Sequence, residues 1–264
     1  MDAYFKRQIQ MPEIGAAGQD ALRKASVLVV GMGGLGCPLA QYLAAAGVGT
    51  LHIYDFDTVD ESNLHRQLLY THADIGKNKA QTAATVLQSQ FPHTRVEAHG
   101  VAFSPAEAET VMPTVDLVVD CTDQIAVKYM LEAVCSHFQK PWIYAAVSGF
   151  ELQWALFAPN ELSYSHIFPE PPNPMFMPNC EVNGTIGVVP GTAAMFQASL
   201  AIQHICGLYK EQHCMHILDM LSWRSSRIEV EQPKAIVKEE WPSIKATDYT
   251  KKILDFHYKK EAHG

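Results

Sequence analysis

The sequence predicts an α/β protein: a Rossmann-like, mostly parallel sheet flanked by helices, with an antiparallel C-terminal extension. Two observations carry this. Between residues 26 and 148, short β-branched apolar runs alternate with stretches of helical period, the order that builds a parallel sheet covered by helices. After Gly149 the period changes, and "FELQWALFAP" alternates with period two, as a half-buried antiparallel strand does.

In chain order, residues 26–30 read as a strand, 35–46 as a helix and 50–54 as a strand. A helix over 77–90 is closed by Pro92, and strands follow at 95–101 and 117–119. A helix over 125–138 leads to a strand at 142–147. The proline-rich stretch "FPEPPNPMFMPNCEVNG" reads as loop. A helix over 192–205 has Gly207 as its C-cap, and "MHILDM" and "SRIEV" are two further strands. We expect one domain over 1–231, with a core at about 26–148 and the extension at about 149–231, then a charged tail or arm over 232–264.

The chain has 264 residues, 48% of them hydrophobic and 18% charged, which suits a folded protein with a sizeable core. A net charge of −8 argues against a nucleic-acid footprint over the chain as a whole. No apolar run reaches the length of a membrane span, and the polar start "MDAYFKRQIQMPEIG" is unlike a secretory leader. Six scattered cysteines do not form a disulfide framework, so a reducing cytoplasm is the expected setting.

The chemistry begins at "VLVVGMGGLG". Gly31, Gly33 and Gly36 satisfy G-x-G-x-x-G, with Gly34 as an extra glycine, between a strand and a helix. The helix start offers N–H groups and partial positive charge to a phosphate. Asp55, 19 residues after Gly36, is placed to accept hydrogen bonds from ribose hydroxyls. The competing view, a tight turn and nothing more, leaves the strand, helix and acid unexplained. These features alone do not separate NAD from ATP.

The next stretch, "DFDTVDESNLHRQLLYTHADIGKNKA", adds Asn63, Arg66, Lys77 and Lys79. The Arg66 fork and the Lys79 point charge suit a polyphosphate that gains charge during displacement, although either alone is ordinarily a solvated surface charge. Asp120 and Asp123 in "LVVDCTDQ" end an apolar strand, where an open α/β sheet binds its ligand. A carboxylate there serves Mg²⁺, or else caps the following helix; spacing does not divide the two roles.

These segments, in this order, resemble the MoeB/ThiF/HesA family of adenylyltransferases, relatives of the ubiquitin-activating enzymes. The resemblance rests on "YFKRQIQMPEIGAAGQ", "VLVVGMGGLGCPLAQYLAAAGVG", "DFDTVDESNLHRQ", "DIGKNKA", "VVDCTDQ" and "PNCEVNGTIGVVPG", over roughly residues 4–230. It implies ATP and Mg²⁺ as cofactors. It also implies adenylation of the C-terminal carboxylate of a ubiquitin-like sulfur-carrier protein ending in Gly-Gly, in a thiamine-thiazole or molybdopterin type of pathway. It places Gly31, Gly33, Gly34, Gly36, Asp55 and Asp57 at the nucleotide, and Asn63, Arg66, Gln67 and Lys79 at the phosphates. Asp123 serves Mg²⁺ and catalysis. Arg7 matches an arginine that reaches the other subunit's phosphates, which implies a homodimer.

The chain departs from the family in places. Many relatives carry two Cys-x-x-Cys pairs for a structural zinc; here Ser163 and His166 stand at the first pair, and no cysteine follows Cys214. A four-thiolate site cannot be built, so no structural zinc is expected. His204, Cys206, His213, Cys214 and His216 read as packing or surface residues. Gln124 stands where the family usually has Asn, a change of small expected effect. Cys180, in the proline-rich loop, is either a reactive thiol that makes a sulfur or thioester link to the carrier, as in the thiazole branch, or a small packing residue. Cys37 and Cys121 read as structural.

Other functions compete. One is activation of a different carboxylate or of a tRNA base, the latter disfavoured by the acidic charge. A non-catalytic scaffold is disfavoured by the full set of ATP-site residues. An NAD-dependent oxidoreductase explains the glycine loop and Asp55 but leaves Arg7, Arg66, Lys79 and Asp123 idle.

Overall fold

The computed structural model describes residues 2–159, 161–169, 184–210 and 214–229. The predicted apolar runs form Ser26–Val30 (β1), Thr50–Tyr54 (β2), Arg95–His99 (β3), Leu117–Asp120 (β4) and Trp142–Ser148 (β5). These five pair in parallel in the order β3-β2-β1-β4-β5. Parallel strands are covered on both faces, which is why all four residues of β4 are buried and its sequence is an unbroken apolar run into Asp120. Glu151–Phe157 (β6), Cys214–Asp219 (β7) and Arg224–Glu229 (β8) then add antiparallel strands to the same sheet.

The helices are Asp2–Ile9 (α1), Gly15–Lys24 (α2), Gly36–Ala46 (α3), Lys79–Gln90 (α4), Pro105–Val111 (α5), Ile125–His137 (α6), Tyr164–Ile167 (α7) and Val188–Ile205 (α8). Side chains alternate across the sheet and feed two cores. Val27, Val29, Leu51 and Ile53 pack with α3, α4 and α8. Leu28, Val30 and Tyr54 pack with α5 and α6 on the other face.

Several boundaries differ from the sequence expectation. The helix expected from residue 77 starts at Lys79, because Asn78 caps it by accepting from the Gln81 N–H at 3.1 Å. β3 stops at His99 rather than 101. The helix expected from 192 starts at Val188, since Pro190 falls in a first turn whose N–H groups have no intrahelical acceptor. The cap of α8 is Cys206, with Gly207 one residue beyond at φ +68. There the Leu208 N–H donates to Gln203 O at 2.8 Å, closing a Schellman turn. α1, α2 and α5 lie outside the sequence expectation; α1 and α2 are amphipathic but mostly polar.

α1 packs at the C-terminal end of α3. The Gln8 and Gln19 side-chain amides donate to Ala46 O at 3.1 and 3.0 Å, and Phe5 lies against Gly47. At the other end of α3, about 16 Å away by helix rise, is the glycine loop.

Candidate active site

β1 turns to β2 on one side, while β4 flanks it on the other. This reversal opens a crevice at the carboxyl ends of β1 and β4, the ligand position of an open α/β sheet. The loop after β1 lies there, held tightly against β4. Gly31 has φ +95, and a Cβ on it would lie 2.9 Å from Cys121 O. A Cβ on Gly36 would collide with Gly31 O. The fold itself therefore demands these two glycines.

Gly33 is different. A Cβ there would meet nothing nearer than Gln67 Nε2 at 3.6 Å, so packing within the chain does not require a glycine. Among the described residues, the Gly33, Gly34 and Leu35 N–H groups have no acceptor. Three unpaired donors at a helix start can hold an anion.

Asp55 braces the loop. Its Oδ2 accepts from the Met32 N–H at 2.7 Å and its Oδ1 from the Asp57 N–H at 2.8 Å. Burial raises its carboxyl above the usual range, while the two backbone donors pull the other way. Each oxygen keeps a lone pair for a ribose hydroxyl. Tyr70, absent from the sequence expectation, ties the same loop to α4: its hydroxyl lies 2.9 Å from Met32 O and 3.2 Å from Lys79 O, so one proton serves two carbonyls.

The structure brings Arg66 and Gln67 against this loop, with Lys79 tied to it through Tyr70. Lys79, the first residue of α4, is buried, with Nζ 3.2 Å from Asp57 Oδ2. Arg66 donates from Nη1 to Ser62 O at 2.9 Å, and its Cγ lies 3.6 Å from the Cβ position of Gly34. Gln67 is buried beside Gly33, and its Oε1 has no partner among the described residues. Asn63 is half-buried nearby in sequence, with Nδ2 3.3 Å from Ser62 Oγ.

The end of β4 separates the two aspartates. Asp120 is fully buried: Oδ2 faces Lys128 Nζ at 2.5 Å, and Oδ1 accepts from the Thr122 N–H at 2.9 Å and hydroxyl at 2.7 Å. Its backbone carbonyl accepts from Gln197 Nε2 at 2.7 Å. Asp123 is exposed, and α6 is capped by Gln124 without a side-chain bond, so neither aspartate caps that helix. Thr122 lies against Gly31. Asp120 is therefore already engaged, and of the two aspartates the exposed Asp123 is the one that could hold a cation at this crevice.

The ThiF family profile matches residues 5–238. The chain belongs to the ThiF family. It is 39% identical over 211 residues to a probable adenylyltransferase/sulfurtransferase, MoeZ, of Mycobacterium tuberculosis, covering 78% of this chain and 54% of that protein. It is 40% identical over 207 residues to the adenylyltransferase and sulfurtransferase MOCS3 of Drosophila sechellia, covering 78% and 46%. It is 39% identical to a sulfur carrier protein adenylyltransferase of Thermus thermophilus, covering 78% of both chains. The chain thus spans about half the length of the MoeZ and MOCS3 relatives. In fold it is similar to E. coli MccB, with a TM-score of 0.78 at 18% identity over 90% of this chain and 75% of that one. A crystal structure of MccB with ATP gives a TM-score of 0.73 at 21% identity, covering 84% and 68%.

Other expected ThiF residues lie elsewhere. Arg7 is exposed on α1, at the end of α3 remote from its own chain's loop. Cys180, His213 and the tail over 232–264 are outside the described residues. Cys37 and Cys121 are buried, as their structural reading requires, and burial pushes the Cys37 thiol up to about 12. Of the cluster near the C-terminus, Cys206 donates from Sγ to Gly18 O at 3.6 Å, while Cys214 and His216 are neighbours on β7, 3.4 Å apart. Ser163 and His166 form a capping box on α7.

Proposed function

We propose that this chain is an ATP- and Mg²⁺-dependent adenylyltransferase that activates the C-terminal Gly-Gly carboxylate of a ubiquitin-like sulfur-carrier protein. The observation that carries the proposal is the cradle of unpaired Gly33, Gly34 and Leu35 N–H groups, bordered by Arg66, Gln67 and Lys79. Two cations beside a set of unpaired N–H groups suit a polyphosphate, although Lys79 also faces Asp57. The names of the MoeZ and MOCS3 relatives support an adenylyltransferase, that of the Thermus relative supports a sulfur carrier as its substrate, and the ATP-bound MccB fold supports the nucleotide.

In the proposed reaction a carboxylate oxygen of the carrier attacks the α-phosphorus of ATP. The bond to the bridging oxygen breaks, pyrophosphate leaves, and the carrier's acyl adenylate remains. No general base is needed, because the carboxylate is ionised at neutral pH. The residues hold and stabilise: Asp55 orients the ribose, the loop N–H groups and Arg66 take phosphate oxygens, and Lys79 offsets charge from within a buried position. Mg²⁺, held through Asp123, would neutralise charge on the leaving phosphates.

A cleft of about 490 Å³, lined by His65, Leu68, Ile186, Gly187, Val188 and Met195 among others, runs beside Gly34 and Arg66. We assign it to the carrier's C-terminal tail. Arg7, remote from its own loop, is assigned to a partner subunit's phosphates, which makes the working unit a homodimer. Among the described residues no helix is long and apolar enough to cross a membrane, and the described cysteines are free, which suits a cytoplasmic setting.

The test is ATP–pyrophosphate exchange with a panel of Gly-Gly carriers. Exchange should depend on a carrier and fall by orders of magnitude in Arg66→Ala and Lys79→Ala. Near-normal exchange in both variants would overturn the assignment.

A further inference from the structure

The margin of the sheet opposite β8 carries a second group of ligand atoms. The register of β2 and β3 pairs His52 with Glu97 and Tyr54 with His99, on the sheet face covered by α5 and α6. One donor atom from each of His52, Glu97 and His99 lies within 4.8 Å of the other two. His52 Nδ1 is 3.3 Å from Glu97 Oε2.

Two features make this more than a chance meeting of polar groups. His52 Nδ1 and His99 Nε2 are both buried, and neither makes a hydrogen bond among the described residues. The His52 side chain is only 9% exposed. Buried ring nitrogens ordinarily find a donor or acceptor, because leaving one without is unfavourable. Secondly, the ligands are held in place. His99 stacks on Tyr54 with ring centroids 4.1 Å apart and an interplanar angle of 6°, and Glu97 Oε1 is held by Arg95 Nη2 at 2.7 Å, leaving Oε2 toward His52.

We propose that His52, Glu97 and His99 bind a divalent transition-metal ion, Zn²⁺ by preference, which ties β3 to β2. Two imidazoles and a carboxylate are a set that zinc accepts and Mg²⁺ does not favour. Bonds of about 2.0–2.1 Å in a tetrahedral site bring ligand atoms to about 3.3 Å from one another. The His52–Glu97 spacing already meets this, and the His99 ligand atom, within 4.8 Å of the other two, closes in on binding. The ion takes the His99 Nε2 lone pair, which makes no hydrogen bond among the described residues, and replaces the 3.3 Å approach of Glu97 Oε2 to His52 Nδ1. The site employs none of the cysteines whose absence led us to expect no structural zinc, and its occupancy would revise that expectation. It borders the nucleotide crevice, since His99 O accepts from the Asp55 N–H at 3.2 Å, but zinc binding is read directly and does not depend on the proposed activity.

The experiment uses tag-free, full-length protein stripped with a chelator. Zinc chloride is titrated by calorimetry and by competition with a chromogenic chelator, with magnesium chloride as a parallel arm. We expect one zinc per chain, no displacement by millimolar magnesium, and a rise in melting temperature on loading. His99→Phe keeps the ring stacked on Tyr54 and should weaken zinc binding at least about 10-fold, as should Glu97→Gln. Absence of zinc binding, displacement by magnesium, or unchanged affinity in both variants would overturn the site.

Discussion

Lys128 Nζ lies 2.5 Å from Asp120 Oδ2 at the end of β4, with both side chains buried, and also donates to Thr122 O at 3.0 Å and Ala145 O at 3.3 Å. This pair holds the strand end against which the glycine loop rests. Lys128→Met leaves a buried carboxylate without its counter-charge and should destabilise the fold by about 3–5 kcal/mol. Asp123→Asn, at an exposed position, should change stability by less than about 0.5 kcal/mol yet remove most pyrophosphate exchange. Urea unfolding and the exchange assay separate the two. Equal loss of stability in both variants would show that the aspartates do not divide their roles this way.

Two glycines of one loop should respond differently to the same substitution. Gly36→Ala drives a methyl group into Gly31 O and should destabilise by about 1–3 kcal/mol. Gly33→Ala meets no atom nearer than 3.6 Å. Its unfolding should stay within about 1 kcal/mol of the parent, while ATP binding by calorimetry weakens. Unchanged ATP affinity in folded Gly33→Ala would remove the phosphate cradle.

His204 gives the fold a pH dependence. Burial on α8 lowers its pKa from 6.5, with Glu161 opposing the shift. The folded state prefers the neutral ring. Its contribution is therefore complete above pH 6.5 and declines as pH falls from 6.5 toward the depressed value. One group changes the slope by at most about 1.4 kcal/mol per pH unit. Urea midpoints on either side of pH 6.5 should differ less in His204→Gln than in the parent. An identical pH dependence in the two proteins would contradict this.

The strands were legible because burial on both faces leaves continuous apolar runs, as in β1 and β4. Glycines and charges with fixed spacing made the crevice residues legible too: Gly31 to Gly36, Asp55, Arg66 and Lys79 gather at one loop. What escaped was the support beneath them. Tyr70 acts through a hydroxyl that touches two backbone carbonyls distant in sequence, a relation no local pattern records. Lys128 and Gln197 did leave a trace. Each is a polar residue inside a mostly apolar helix, "QIAVKYMLEAV" and "AAMFQASLA", where burial obliges a partner. Both of those partners are Asp120. The His52–Glu97–His99 group escaped because it exists only once β2 and β3 are in register.

The sheet also carries a gradient in time. β8 buries none of its six residues, whereas β1 buries four of its five. Amide protection follows burial and bonded neighbours, so opening begins at the outer margin and costs progressively more toward the centre. The crevice at Gly31 is built on the buried central strands, so β7 and β8 should open many times over while that loop stays shut.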